Sequence, residues 1–169
     1  MIARLLVFGL FTATLLPAQN TLTATAAQRY FNGIRRNLEA SADAMPAENY
    51  NFRLTPAQMT FGEWMLHSAQ RNYADCSALK GEPAPQTEAQ LAVLKDKAAI
   101  GQVVKDSFAY CAAVIENLDD AKVLANPASV YSFLHIVVHN NEVYGNIVGY
   151  MRASGIVPPS TAGRGRQGR

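Results

Sequence analysis

Two histidines four residues apart, His135 and His139, stand inside the otherwise apolar run SFLHIVVHNNEVYGNIVGYMRASGIVPPST. On an α-helix, residues i and i+4 lie roughly 40° apart around the axis and one turn along it, so both imidazoles project from one face and can converge on one ion. The third and last histidine of the chain, His67, belongs to a second helical segment, FGEWMLHSAQRNYADCSALKG. A three-histidine site between two helices is therefore open to this sequence. A histidine on an apolar helix also serves as a hydrogen-bonded structural group, and spacing alone leaves both readings open.

Apolar periodicity and breakers define four helices to position these groups. The first spans about Thr23 to Met45, with Ala27, Tyr30, Phe31, Ile34 and Leu38 on one face, and stops at Pro46. A polar extended linker, ENYNFRLT, follows. The second helix is expected to begin at Pro56 with Thr55 as its N-cap and to end before Gly81. After the turn-rich GEPAPQTE, the third runs from about Glu88 to Leu118 with a break near Asp96, and Asp119 and Asp120 help to close it. Asn126 and Pro127 open the fourth, which reaches Ser154 and is stopped by Gly155.

No alternating strand pattern competes with these helices, so the expected fold is all-α, an up-and-down four-helix bundle. On the helical wheel, Ser132, His135, Ile136, His139, Val143, Asn146, Ile147 and Tyr150 share a packed face. In the second helix Phe61, Met65, Ala69, Tyr73 and Cys76 form the main stripe. His67 points away from that stripe, along a seam with Thr60, Ala74 and Ala78, whose small residues permit close approach of another helix.

The chain of 169 residues carries a formal net charge of +2. Setting aside Arg4 and the three arginines of the C-terminal GRGRQGR leaves a slightly acidic body, which argues against nucleic acid as a partner. Residues 1–18 have the layout of a secretory signal peptide, one basic residue and then an apolar run from Leu5 to Leu16, with cleavage near Ala18. That run is short for a bilayer span, so no stable membrane insertion is expected after cleavage. Export places the protein in the periplasm or outside the cell. There Cys76 and Cys111, on different predicted helices, are expected to pair, stabilising the fold by about 3 kcal/mol in the chain-entropy model. Neither cysteine has a CxxC spacing or a local basic cluster that points to a metal ligand or reactive thiol. The mature domain is expected over residues 23–157, followed by a flexible Gly/Arg-rich tail, 158–169.

Taken together, YNFRLTPAQMTFGEWMLHSAQRNYADCSALKG, DSFAYC and HNNEVYGNIVGYMRASGIVPPST resemble the DinB-like superfamily, in its exported bacterial branch, over nearly the whole mature chain. The resemblance implies a four-helix bundle of the DinB/YfiT type holding a divalent metal, often zinc or nickel, on one histidine of the second helix and two of the fourth. Carried over, those positions are His67, His139 and position 143, where this chain has Val143. Two replacements are open: His135, one turn before His139, or a carboxylate from Glu142 or Glu63.

The function implied by the resemblance is a metal-dependent thiol transferase or hydrolase acting on a small-molecule substrate, with Tyr144 or Asn141 orienting it. The alternative is a non-catalytic binding module with a degenerate metal site. A homodimer through helix faces is compatible with either.

Overall fold

The computed structural model describes residues 22–162, so the predicted signal peptide and the end of the expected tail lie outside the described residues. The described residues are helical, with no strand among them. In chain order they form α1 (Leu22–Ala44), a 3-10 turn (Ala47–Asn51), α2 (Phe61–Lys80), α3 (Glu88–Ala92), α4 (Lys97–Glu116), α5 (Asp120–Ala125), α6 (Pro127–Ala153) and α7 (Pro159–Ala162). Four of these are long. Each of α1 and α2 packs against both α4 and α6.

The core between them is the one expected from periodicity. Phe31, Ile34 and Leu38 of α1 are buried against Phe61, Met65 and Cys76 of α2, Val104 and Phe108 of α4, and Ile136, Val143 and Ile147 of α6. Phe31 and Phe108 meet with ring centroids 5.6 Å apart. Tyr30 departs from the expected apolar face and is 67% exposed. Among the described residues, α4 is long and apolar enough to cross a membrane by length and composition, and its apolar side chains fill this core instead.

The helix directions correct the expected up-and-down order. Along α2 and α4 the contacts run in the same sense: Asn72 donates to Ser107 (3.1 Å), and four residues later in each helix Cys76 is bonded to Cys111. The two helices are therefore parallel. By contrast α2 and α6 are antiparallel, since Asp75 meets His135, Ser68 meets Asn140 and Trp64 meets Tyr150. The reason is the long connection 81–96, which carries the chain back along α2. A helix of 20 residues is about 30 Å long, a span that a connection of this length can cross. α3 packs on α2 along the way.

Local caps refine the helix ends. α2 begins at Phe61, not Pro56, because Thr60 rather than Thr55 is the N-cap. The Glu63 amide donates to the Thr60 hydroxyl (3.1 Å), and the Thr60 amide donates to the Glu63 carboxylate (2.7 Å). Each bond satisfies an amide that the helix start otherwise leaves without a partner. Thr55 and Pro56 instead open a turn closed by the Gln58 amide donating to the Thr55 carbonyl (3.1 Å). Asp96 caps α4 through the Ala99 amide, so the predicted break there is a helix start. Gly81 ends α2 at φ 73°, a left-handed conformation that favours glycine. The first residues of the expected tail form α7, whose Ser160 amide donates to the Tyr144 hydroxyl (2.9 Å).

Candidate functional site

The contact between α2 and α6 brings all three histidines together. His67 and His139 have ring centroids 4.8 Å apart with planes at 82°, and His135 stacks on His139 at 4.8 Å and 11°. Tyr131 extends the stack, 5.2 Å from His135, and Trp64 flanks His67 at 6.1 Å. One α6 turn separates each member of the ladder Tyr131, His135 and His139, so the helix itself sets the stacking.

From α2, the row His67, Arg71 and Asp75 faces this ladder. Asp75 is buried, at 3% exposure, and uses both carboxylate oxygens. One accepts from Arg71 Nη2 (2.9 Å) and the other lies 2.7 Å from His135 Nδ1. With the imidazole donating to this carboxylate, the tautomer is fixed and Nε2 keeps its lone pair for a ligand. His139 is more enclosed. Its Nδ1 lies 3.6 Å from the exposed carboxylate of Glu142, and its Nε2 is buried without a hydrogen-bond partner. Burial first, then the neighbouring His67, His135 and Arg71, hold its pKa below the ordinary histidine value of 6.5. The ring is kept neutral, the form that ligates metals.

Beneath the imidazoles lies a fully enclosed amide network. Ser68 donates to Asn140 Oδ1 (2.6 Å), and Asn140 Nδ2 donates to Asn72 Oδ1 (2.7 Å) and to the Ile136 carbonyl (2.7 Å). Asn72 passes the chain on to Ser107 of α4, which donates to the Val104 carbonyl (2.8 Å). Every member is satisfied, which locks the axial register of three helices.

Three imidazoles, one gripped by a carboxylate and one with an orphaned buried nitrogen, match a divalent-metal site in donor type. The arrangement is not closed. Among the described residues, no group of three or more His, Cys, Asp or Glu side chains is placed to hold an ion as the rings stand. Parallel stacking of His135 and His139 directs their nitrogens side by side, so a rotation of the rings has to precede convergence.

The other residues singled out from sequence have different employment. Val143 is in the core with no exposure, leaving no gap at that position. Glu63 is committed to the α2 cap and to an ion pair with Arg53, 3.4 Å away. The Tyr144 hydroxyl serves α7, and Asn141 donates to the Val137 carbonyl of its own helix. The seam of His67 is not Ala74 and Ala78, which are exposed, but Arg71 and Asp75. Cys76 and Cys111 form the expected disulfide, fully buried between α2 and α4 and compatible with an oxidising compartment.

Sequence reading missed Arg71, Asp75, Asn72 and Asn140. A signal for the first two existed in their i+4 and i+8 spacing from His67. Asn72 and Asn140 sit at positions where the apolar stripes continue, three or four residues from Ala69, Cys76, Ile136 and Val143. Compared with known proteins, the chain matches no family model and no curated protein.

Proposed function

We propose that this protein is an exported, DinB-like four-helix-bundle protein that binds a divalent metal through His67, His135 and His139. The observation that carries the reading is the convergence of all three histidines of the chain at one α2/α6 contact, with Asp75 on His135 Nδ1. In this arrangement the ligand set is displaced one turn toward the N-terminal end of α6, so that His135 takes the part Val143 does not play. Zinc and nickel both suit imidazole donors. When bound, the ion supplies Lewis acidity, lowering the pKa of a water or thiol at an open coordination position, which is the chemistry of a hydrolase or thiol transferase on a small substrate.

The residues of the chain have separate parts. Asp75 holds the His135 ring and raises its basicity, Arg71 braces Asp75, and burial keeps His139 neutral. Tyr131 and Trp64 close the two ends of the imidazole row and shield it from water.

The experiment is elemental mass spectrometry on untagged protein purified from the periplasm, beside His139→Ala and His135→Ala. Near one equivalent of a divalent metal, lost in both variants, is the expected result. A folded protein without metal after dialysis against zinc and nickel overturns the reading. It would favour the second one, a binding module that keeps the scaffold without the ion, for which the stacked and unconverged rings speak.

A further inference from the structure

We infer that Arg71 is the anchor for a carboxylate group on the ligand of this site. The inference rests on the imidazole cluster as a metal site for the ligand's location, and the two fail separately, as the test below shows.

Arg71 lies on the α2 row between His67 and Asp75, at the imidazole cluster. Its Nη2 is spent on Asp75, whose other oxygen is spent on His135. Its Nε is buried and has no hydrogen-bond partner, while the side chain as a whole is 31% exposed. A buried guanidinium N–H without an acceptor is costly, and a charged acceptor is what satisfies it best. The same contact holds a second orphan, His139 Nε2. The field of Arg71 reaches that ring and disfavours its protonation. An incoming anion thus meets Arg71 and three imidazoles against a single buried carboxylate that is already fully engaged. Glu142 is the other acidic group nearby, and its side chain is 68% exposed at the rim.

The geometry chooses among anions. Phosphate recognition by arginine favours the two-pronged fork, and half of that fork is held by Asp75. What remains is one directed Nε–H, which suits a single oxygen of a carboxylate. With the ion in place, the second oxygen or a neighbouring group of the ligand lies on the metal side. The substrate class is therefore a small molecule with a carboxylate next to the group that reacts.

The test is a titration of ¹³C-formate followed by NMR, on zinc-loaded and metal-free wild type and on Arg71→Gln and Arg71→Lys, with zinc content measured on each sample. Expected for the wild type is a saturable formate shift, together with displacement of the Arg71 Nε–H resonance, a readout that needs no variant to fold. Arg71→Gln should retain its zinc and bind formate at least roughly tenfold more weakly, the loss expected for one charge-assisted hydrogen bond. Arg71→Lys, which keeps the charge and the pairing with Asp75 but lacks the Nε–H, should be weakened as well. Equal formate affinity in zinc-loaded wild type and Arg71→Gln overturns the inference, since the anion then sits on the metal alone. Phosphate binding tenfold tighter than formate overturns the choice of carboxylate. If the wild type takes up no zinc, the metal reading fails, and the metal-free titration decides Arg71 by itself: a shift of the Nε–H resonance supports it and an unmoved resonance overturns it.

Discussion

Single side chains at the α2/α6 contact divide into those that hold a ring and those that keep it neutral. Asp75 holds His135, and its replacement by asparagine removes the charge that orients and strengthens the imidazole. Asp75→Asn should lower zinc affinity by about 10–100-fold while leaving the protein folded, as read by competition with a chromophoric chelator. His139 is the neutral one. Its folded-state pKa is depressed, so its stabilising contribution is full above the unfolded value of about 6.5 and is lost as pH falls through the folded value. Metal-free protein should therefore lose Tm as pH falls below about 6.5, and His139→Gln should flatten that part of the profile. Nothing in the histidine spacing announced either effect. The i, i+4 pair was legible because it lies within one helix, whereas the carboxylate that orients it comes from α2 and is 60 positions away in the chain.

Elements are set by their ends and by a few polar contacts with neighbours. Thr60 and Glu63 start α2 by the reciprocal cap, and Thr60→Ala should cost about 1 kcal/mol, seen as a lower urea midpoint without a change in slope. The true cap was readable as a T-x-x-E box, and Thr55-Pro56 masked it by offering an equally good start five residues earlier. Tyr50, on the 3-10 turn, donates to the Ala42 carbonyl of α1 (2.7 Å). Burial raises its pKa well above the ordinary value of 10.0. Its contribution is full below about pH 10 and declines as pH rises through the folded value, so Tyr50→Phe should reduce the loss of stability at alkaline pH in a thermal scan. Across elements, the Asn72–Asn140 network fixes which residues of α2, α4 and α6 stand level. Truncating Asn140 to alanine strands Asn72 and Ser68 and should cost about 1–3 kcal/mol, measured by chemical denaturation.

At the scale of the molecule, the disulfide joins two parallel helices across the core, 35 positions apart in sequence. Replacing Cys76 and Cys111 together by alanine should remove about 3 kcal/mol of stability, visible as a lower Tm that added reductant no longer shifts. The same bond records how the chain is threaded. Helix content, the apolar faces of α2, α4 and α6, the α6 boundaries at Pro127 and Gly155 and the candidate pairing of the cysteines were all determined by the sequence alone. Each depends on neighbours within a few turns, or on the chemistry of only two thiols. Helix direction, the ring stacking, the burial of Val143 and the Arg71–Asp75–His135 relay were decided by the tertiary structure. A connection such as 81–96 is long enough either to turn at once or to run back along α2, and the packing of α3 on α2 selects the second course. That choice makes α2 and α4 parallel and leaves α6 antiparallel to α2, which lays the His67, Arg71 and Asp75 row against His135 and His139. Contacts of this kind join residues 60 or more positions apart, and their pairing is set by which helices pack and in which direction, information that no local spacing contains.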